Sequence, residues 1–412
     1  MISNDLKNKF IAAGQEHVFK YENEISFDEQ KSLENQMKNI DIDLVTKLYK
    51  QTQIKEDKAD LDISPVKCSL KSDWKDSQKQ QYKDAGKELI NKGKYAVVTM
   101  AGGQGTRLGH DGPKGTYFVN VPERISLFEI QCNRLKKANS ENNCIIPWYI
   151  MTSEENYPAT KAFFEENNYF DYPKESVFFF KQYMLPMIDV NGKIILDQKH
   201  SIKEGADGHG GIFRAIIGRG VLADMKKRGV EWIFTCGIDN ILVRPADEEF
   251  LGYVSESGYK LGGKSLVKRD AYEKAGVFCK KNSRASVVEY TEIPKELAEL
   301  TDESGQFVYA DAHILCNLFH IDVFDKMGSE GLPYHEAFKK APYLNENGDR
   351  IVPEEPNAYK FEAFIFDAFE YYEDMGILRV IREKEFAPIK NKSGEDSPES
   401  AQKLYLADIS EE

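Results

Sequence analysis

From Tyr95 onward the chain alternates short, almost wholly apolar runs with stretches of helical periodicity, and no other feature limits its fold so tightly. The runs are "AVVTM", "IIPWYIM", "SVFFFK", "EWIFTC", "ASVVEY" and "HILCNLF"; "SLFEIQCNRLKKA" and "IFRAIIGRGVLADMKKRG" are among the helical stretches between them. Strands separated by helices pair in parallel, because a parallel neighbour needs a crossover connection of helical length. The expectation is an α/β domain over 95–412, with a mainly parallel sheet flanked by helices and a ligand site beyond the C-terminal strand ends. Residues 1–94 differ in texture. They are rich in Lys, Glu, Gln and Asn, with Ile42, Leu44, Val45, Leu48 and Tyr49 at helical spacing, and read as a mostly helical N-terminal segment. Near the other end "FEAFIFDAFEYYEDMG" reads as a helix, "LRVIRE" as a strand, and the region near 386–400 as a charged loop bearing Lys390.

Charge narrows the partners. Among 412 residues, 55 Lys and Arg stand against 68 Asp and Glu, a net charge of −13. Such a field repels nucleic acid, and an anionic ligand must be met by a local cluster of cations. The start "MISNDLKNKF" has no apolar core of a signal peptide, and no run of about 18 apolar residues follows, so a cytoplasmic protein without a membrane partner is expected. Six cysteines (Cys68, Cys132, Cys144, Cys236, Cys279, Cys316) lie far apart with no C-x-x-C pair, which suits buried thiols better than disulfides or zinc ligands.

The segment "AGGQGTRLGHDGPKG", Ala101 to Gly115, directly follows the strand "YAVVTM" and holds six glycines with Arg107 and Lys114. Backbone amides of a glycine-rich turn can converge on phosphate oxygens because no Cβ blocks the approach, and the two cations add charge-assisted donors. A nucleoside triphosphate is the natural guest. The dinucleotide fingerprint fails, since Leu108 stands where a third glycine belongs. A second stretch, "GYKLGGKS" from Gly258 to Ser265, spells a P-loop, which would make the chain an NTPase. Its flanks are reversed, however: "DEEFLGYVSES" before it reads as a helix and "KSLVKRD" after it as a strand. "EWIFTCGIDN" ends an apolar strand with Asp239, positioned for Mg²⁺ or for a turn. "ADGHGGIFRAI" sets Gly208, Gly210 and Gly211 before a helix, and "YHEAFKK" lacks the second histidine of a zinc protease.

Together these stretches resemble the eukaryotic-type UDP-N-acetylglucosamine pyrophosphorylases of the UDP-sugar pyrophosphorylase superfamily. The resemblance runs from about Tyr95 to Asn391, through "AGGQGTRLG" and "PKG", "KQYMLP", "CGIDNILVRPAD", "VVEYTEI", "LCNLF", "LPYHEAFKKAPY", "KFEAFIFDAF" and "EFAPIKN" in the family's order. It implies a nucleotidyltransferase-type, Rossmann-like fold and transfer of UMP from UTP to a sugar 1-phosphate, with Mg²⁺ or another divalent cation. By this resemblance Ala101, Gly102, Gly103 and Lys114 grip UTP, Gln182 and Gly208 read the uracil, and Asp239 holds the metal or the ribose-phosphate side. Lys360 joins the nucleotide's phosphate region, while His209, Glu289, Tyr290, Asn317 and Lys390 line the sugar. Arg107, Lys114 and Lys390 neutralise charge on the reacting phosphates, and no side-chain nucleophile is required.

Two departures from the family pattern matter. The usual G-N-G-G is Gly208-His209-Gly210-Gly211 here, and G-H-G resembles UDP-glucose pyrophosphorylases, so glucose 1-phosphate stands as the alternative acceptor to N-acetylglucosamine 1-phosphate. The chain ends at Glu412, soon after "KNKSGEDSPES", so the small C-terminal domain of the eukaryotic relatives is expected to be absent. A non-catalytic sugar-nucleotide sensor is the alternative from another class, and the retained Arg107, Lys114, Asp239 and Lys390 speak against it.

Overall fold

The computed structural model describes residues 2–54 and 62–411. They form two compact units: one from residues 2–54, 183–211 and 332–364, the other from 62–182, 212–331 and 365–411. The division therefore does not fall at residue 94. Residues 62–94 belong with the sheet, and the residues up to 54 share a unit with two later segments.

The larger unit is organised by a sheet whose order is Ser69–Leu70, Gly376–Arg379, Leu261–Val267, Asp311–His320, Trp232–Gly237, Tyr95–Met100, Trp148–Thr152 and Val177–Lys181. The last four strands are mutually parallel, as are the first three. Asp311–His320 runs antiparallel to both its neighbours. Every residue of Tyr95–Met100, Trp148–Thr152 and Trp232–Gly237 is buried, as continuous apolar runs in a sheet covered on both faces require. Four side chains inside this core are hydrogen-bonded in series. The Trp148 indole donates to Thr99 Oγ1 (2.8 Å), the Thr99 hydroxyl to Gln131 Oε1 (2.8 Å) and Gln131 Nε2 to Cys236 Sγ (3.0 Å). All six cysteines are free thiols, four of them buried.

Two stretches depart from their expected form. "IFRAIIGRGVLADMKKRG" is two helices, Gly211–Gly218 and Val221–Arg228, because Gly220 between them takes φ +77°, a conformation that ends a helix. "FEAFIFDAFEYYEDMG" is no α-helix. Phe361 and Glu362 finish the strand Ala358–Glu362, paired with His335–Lys339, and only a 3₁₀ helix, Ile365–Tyr371, follows. Strand pairing outweighed the local helical pattern.

The helix Asp76–Asn91 packs on the helix Glu248–Glu256 through glycine at both contact points. A Cβ at Gly86 would collide with the Glu248 carbonyl, and one at Gly252 with the Tyr82 carbonyl. Backbone-to-backbone approach of this kind leaves nothing flexible to yield. Gly252→Ala is expected to destabilise the protein by about 1–3 kcal/mol, the range for overpacking a close contact, although alanine is the better helix former. Urea unfolding checks this, and a more stable variant would show that the two helices can separate freely.

The P-loop-like stretch is settled by its position. Leu261–Val267 is an interior strand, and Lys264 is 1% exposed, with its ammonium on Asp247 Oδ2 (2.8 Å) and on Glu385 Oε2. A lysine enclosed by two carboxylates within a sheet cannot reach a nucleotide, so the NTPase reading is withdrawn.

In the smaller unit the helices Asn4–Ala12, Phe27–Asn39 and Ile42–Thr52 bury Phe10, Leu33, Met37, Val45 and Leu48 with Ile188 and Phe361. The second helix begins with a capping box, in which Ser26 N–H donates to Glu29 Oε2 (2.7 Å) and Glu29 N–H to Ser26 Oγ (3.4 Å). Strands Ile188–Asp189, Ala358–Glu362 and His335–Lys339 form its three-stranded sheet. Among the described residues no helix is long and apolar enough to cross a membrane.

Candidate active site

The glycine-rich segment leaves the C-terminal end of Tyr95–Met100 and folds back on itself. Gly105 N–H donates to the Gly112 carbonyl (2.9 Å), and Lys114 N–H to that of Gly103 (3.0 Å). Ala101 stays in register with the sheet through its N–H to Met151 O (2.8 Å). Gln182, just past the end of Val177–Lys181, lays its carboxamide against Gly102. A Cβ at residue 102 would stand 2.9 Å from Gln182 Oε1 and 3.0 Å from Nε2. A side chain at 102 would push the Gln182 carboxamide away from the loop. Gly115 likewise sits against the Phe128 ring, which holds the loop's return limb to the core.

Arg107 lies exposed in the 3₁₀ turn Thr106–Leu108, and Lys114 opens the next turn, Lys114–Thr116. Lys114 Nζ stands 3.7 Å from Asp239 Oδ2, and Asp239 follows the end of the adjacent parallel strand, Trp232–Gly237. Burial holds the Lys114 ammonium below the ordinary lysine pKa; Asp239 opposes that shift, while Lys390 and Arg107 add to it by repulsion. Three expected cations thus share one electrostatic neighbourhood with one carboxylate. Lys390 is exposed, and the chain leading to it is fastened to the Asp239 turn. Ile389 N–H donates to Asp239 O (2.9 Å), Ala387 N–H to Asn240 Oδ1 (2.8 Å) and Asn240 Nδ2 to Glu385 O (2.7 Å). The irregular stretch ends where the helix Pro398–Glu411 begins.

A divalent cation finds one carboxylate here. Among the described residues no group of three or more His, Cys, Asp or Glu could enclose a metal. Asp239 alone, partly exposed at a strand end, suits an ion such as Mg²⁺ that takes one protein carboxylate and completes its shell with phosphate oxygens and water.

Asn317 and Glu289 lie in the same unit. Asn317 is wholly buried in Asp311–His320, opposite Thr235 in register, and its Oδ1 faces His313 Nε2 at 2.9 Å. A carboxamide oxygen only accepts, so Nε2 carries the proton. Burial pushes His313 down to about 4, which keeps it neutral, and Asn317 Nδ2 is left a buried donor with no partner among the described residues. Glu289 directly follows the strand Arg284–Val288, beside Gly276, whose carbonyl accepts from the backbone N–H of His313 (2.8 Å). Tyr290 is 44% exposed. Being fully enclosed, Asn317 meets no solvent-open surface.

Gly208, His209 and Lys360 belong to the smaller unit. Gly208 takes φ +84°, and a Cβ there would strike the Ala363 carbonyl, so glycine is obligatory. The His209 ring packs on Phe364 (centroids 5.4 Å apart), which stacks on His335 (4.5 Å). Lys360 bonds to Glu362 Oε1 (2.7 Å), with its stem over Gly205.

Sequence reasoning missed Asn156, Asn240 and His313. Asn156 and Asn240 look like helix-cap or turn residues in the sequence, and a lone histidine in an apolar run carries no signal of its partner. A cavity of about 760 Å³ in the larger unit holds none of the expected site residues. It is lined by Lys71, Arg134, Arg244, Arg379 and others whose charges are engaged by Asp247, Asp408 and Asp311.

Comparison with known proteins agrees with this chemistry. The family model described as "UTP--glucose-1-phosphate uridylyltransferase" matches residues 38–399. A Saccharomyces cerevisiae UDP-N-acetylglucosamine pyrophosphorylase is 37% identical over 98% of this chain and 89% of its own. The crystal structure of the Trypanosoma brucei enzyme of the same name, in complex with inhibitor, superposes with TM-score 0.84 at 28% identity, covering 97% of this chain and 83% of that one. A Leishmania major UDP-glucose pyrophosphorylase shares the fold alone, with TM-score 0.67 at 17% identity over 89% and 77% of the two chains.

Proposed function

Because the chain belongs to the UTP–glucose-1-phosphate uridylyltransferase family, whose members are nucleotidyltransferases, we propose that it transfers UMP from UTP to N-acetylglucosamine 1-phosphate, releasing pyrophosphate. A phosphate oxygen of the sugar phosphate attacks the α-phosphorus in line, the new P–O bond forms, and the bond to the β-phosphate oxygen breaks with its electron pair on pyrophosphate. The chain's task is to hold two anions together and to stabilise the charge that shifts onto the leaving group. Arg107, Lys114 and Lys390 supply that field, Gln182 reads the base beside Gly102, and the loop amides meet the phosphates. Asp239 would hold a divalent cation, which when bound neutralises phosphate charge.

The observation that supports this most is geometric: Lys114 Nζ stands 3.7 Å from Asp239 Oδ2 beyond the C-terminal ends of two adjacent parallel strands, with the chain leading to Lys390 fastened to the Asp239 turn. In a chain of net charge −13, lysines gathered at one strand end supply the local positive cluster that an anionic ligand needs. Pyrophosphate release from UTP and Mg²⁺ should be fastest with N-acetylglucosamine 1-phosphate in a panel of sugar 1-phosphates. Release with none of them, or steady ATP hydrolysis without any, overturns the reading.

Glucose 1-phosphate is the second reading, favoured by His209. A ring packed on Phe364 presents more bulk than the family's asparagine amide. His209→Asn is expected to move the ratio of kcat/KM values toward the N-acetylated sugar by about 1–3 kcal/mol, the range of one altered pocket contact. An unmoved ratio in a folded variant removes His209 from sugar selection.

A further inference from the structure

We propose that Asn156 is a positioning residue that keeps the amide donors of the phosphate loop turned toward the nucleotide; this rests on reading Ala101–Gly115 as the UTP loop. Asn156 stands at the start of the helix Tyr157–Glu166, where asparagine ordinarily caps, yet its side chain makes no capping bond. Instead Nδ2 donates to two successive carbonyls of the loop, Gly102 O and Gly103 O, at 2.9 Å each. Both contacts are acceptors, which fixes the amide's orientation. The residue is 1% exposed, and its Oδ1 has no hydrogen-bond partner among the described residues. All the hydrogen bonding this buried amide performs is thus directed at the loop, at the cost of an orphaned acceptor. Its own backbone is held separately, by Asn156 N–H to Ser153 Oγ (3.0 Å).

The consequence follows from peptide geometry. In a planar trans peptide the C=O of one residue and the N–H of the next point in opposite directions. Drawing the Gly102 and Gly103 carbonyls toward Asn156 turns the N–H groups of Gly103 and Gln104 the other way. No backbone carbonyl takes either N–H among the described residues. The Gly103 carbonyl is held by Lys114 N–H as well (3.0 Å), whereas among the described residues the Gly102 carbonyl meets Asn156 alone, so without Asn156 the peptide between the two glycines would flip at little cost. Asn156 removes that freedom, so the two donors stay aimed without a ligand's help and binding spends less on ordering the loop.

The test compares UTP with uridine, which shares the base and ribose but lacks the phosphates. Asn156→Leu keeps the side chain's shape and deletes its donor. It is expected to raise KM for UTP about tenfold or more, the scale of losing well-aimed phosphate donors. Inhibition by uridine and KM for the sugar 1-phosphate should stay within about twofold. Asn156→Gln, which keeps the donor on a longer stem, should recover part of the loss. A merely structural residue would move uridine and UTP alike, and that result, or an unchanged KM for UTP, overturns the proposal. Should Asn156→Leu fail to fold, Asn156→Ser carries the same comparison. Wild-type protein without affinity for UTP overturns the UTP reading and this proposal together, whereas tight wild-type binding with an indifferent Asn156→Leu overturns the proposal alone.

Discussion

Lys390→Ala is expected to lower kcat by on the order of 10²-fold or more, the loss seen when one donor to developing charge is removed. Lys390 is exposed, and its backbone is tied to Asp396 and, through Ile389, to Asp239, so truncating the side chain should leave the fold intact. Steady-state kinetics with pyrophosphate release reads the effect directly, and wild-type turnover in the variant would remove Lys390 from the site. The same variant carries a second, signed consequence. Lys114 is held below the ordinary lysine range by burial, with Lys390 and Arg107 adding to that effect against Asp239. If the protonated Lys114 is needed, kcat/KM falls as pH rises through its pKa. Removing Lys390 raises that pKa, so the alkaline limb should move to higher pH. A limb that stays in place, or moves down, shows that Lys114 is not the group titrating there.

Lys264→Met should destabilise the protein by about 3–5 kcal/mol, the cost of leaving buried carboxylates without their counter-ion. Burial by itself would drive the Lys264 ammonium toward neutrality, but Asp247 and Glu385 outweigh it and hold its pKa above the ordinary value. Asp247, though buried, is held well below the carboxylate range by Lys264 and Lys71. A depressed carboxylate contributes stability above its unfolded pKa of about 3.9 and loses it as pH falls through the folded value. A raised lysine contributes fully below its unfolded pKa of about 10.4 and loses that stability as pH rises through the folded one. The difference between wild type and variant should therefore be widest between about pH 5 and 9 and shrink in acid, where Asp247, stranded without Lys264 in the variant, takes up a proton before the ion-paired Asp247 of wild type does. Urea unfolding at pH 7 and at pH 4 measures it. A variant as stable as wild type at pH 7 would mean that methionine packs well enough to offset the stranded charges.

How much of this was legible in advance depends on how far apart the interacting residues lie. The six apolar runs became strands because burial on both faces of a sheet requires that pattern, and the helical spacing of Ile42, Leu44, Val45, Leu48 and Tyr49 became the helix Ile42–Thr52. The glycine-rich segment declared its chemistry by composition, since six glycines with Arg107 and Lys114 after a strand suit a phosphate better than a core. "GYKLGGKS" shows the limit. Its spelling is that of a nucleotide loop, and only the two strands paired beside it and the carboxylates of Asp247 and Glu385, 17 and 121 residues away, make Lys264 an interior residue. "FEAFIFDAF" carried a helical pattern that long-range pairing with His335–Lys339 overrode. Asn156 reads as a cap until the loop 53 residues before it is brought against its amide. The sequence by itself determined which segments are buried and which chemistry the loop offers, because periodicity and turn composition are local properties. Tertiary structure decided which polar groups meet, because a hydrogen bond or ion pair between distant residues is set by how the strands and helices pack.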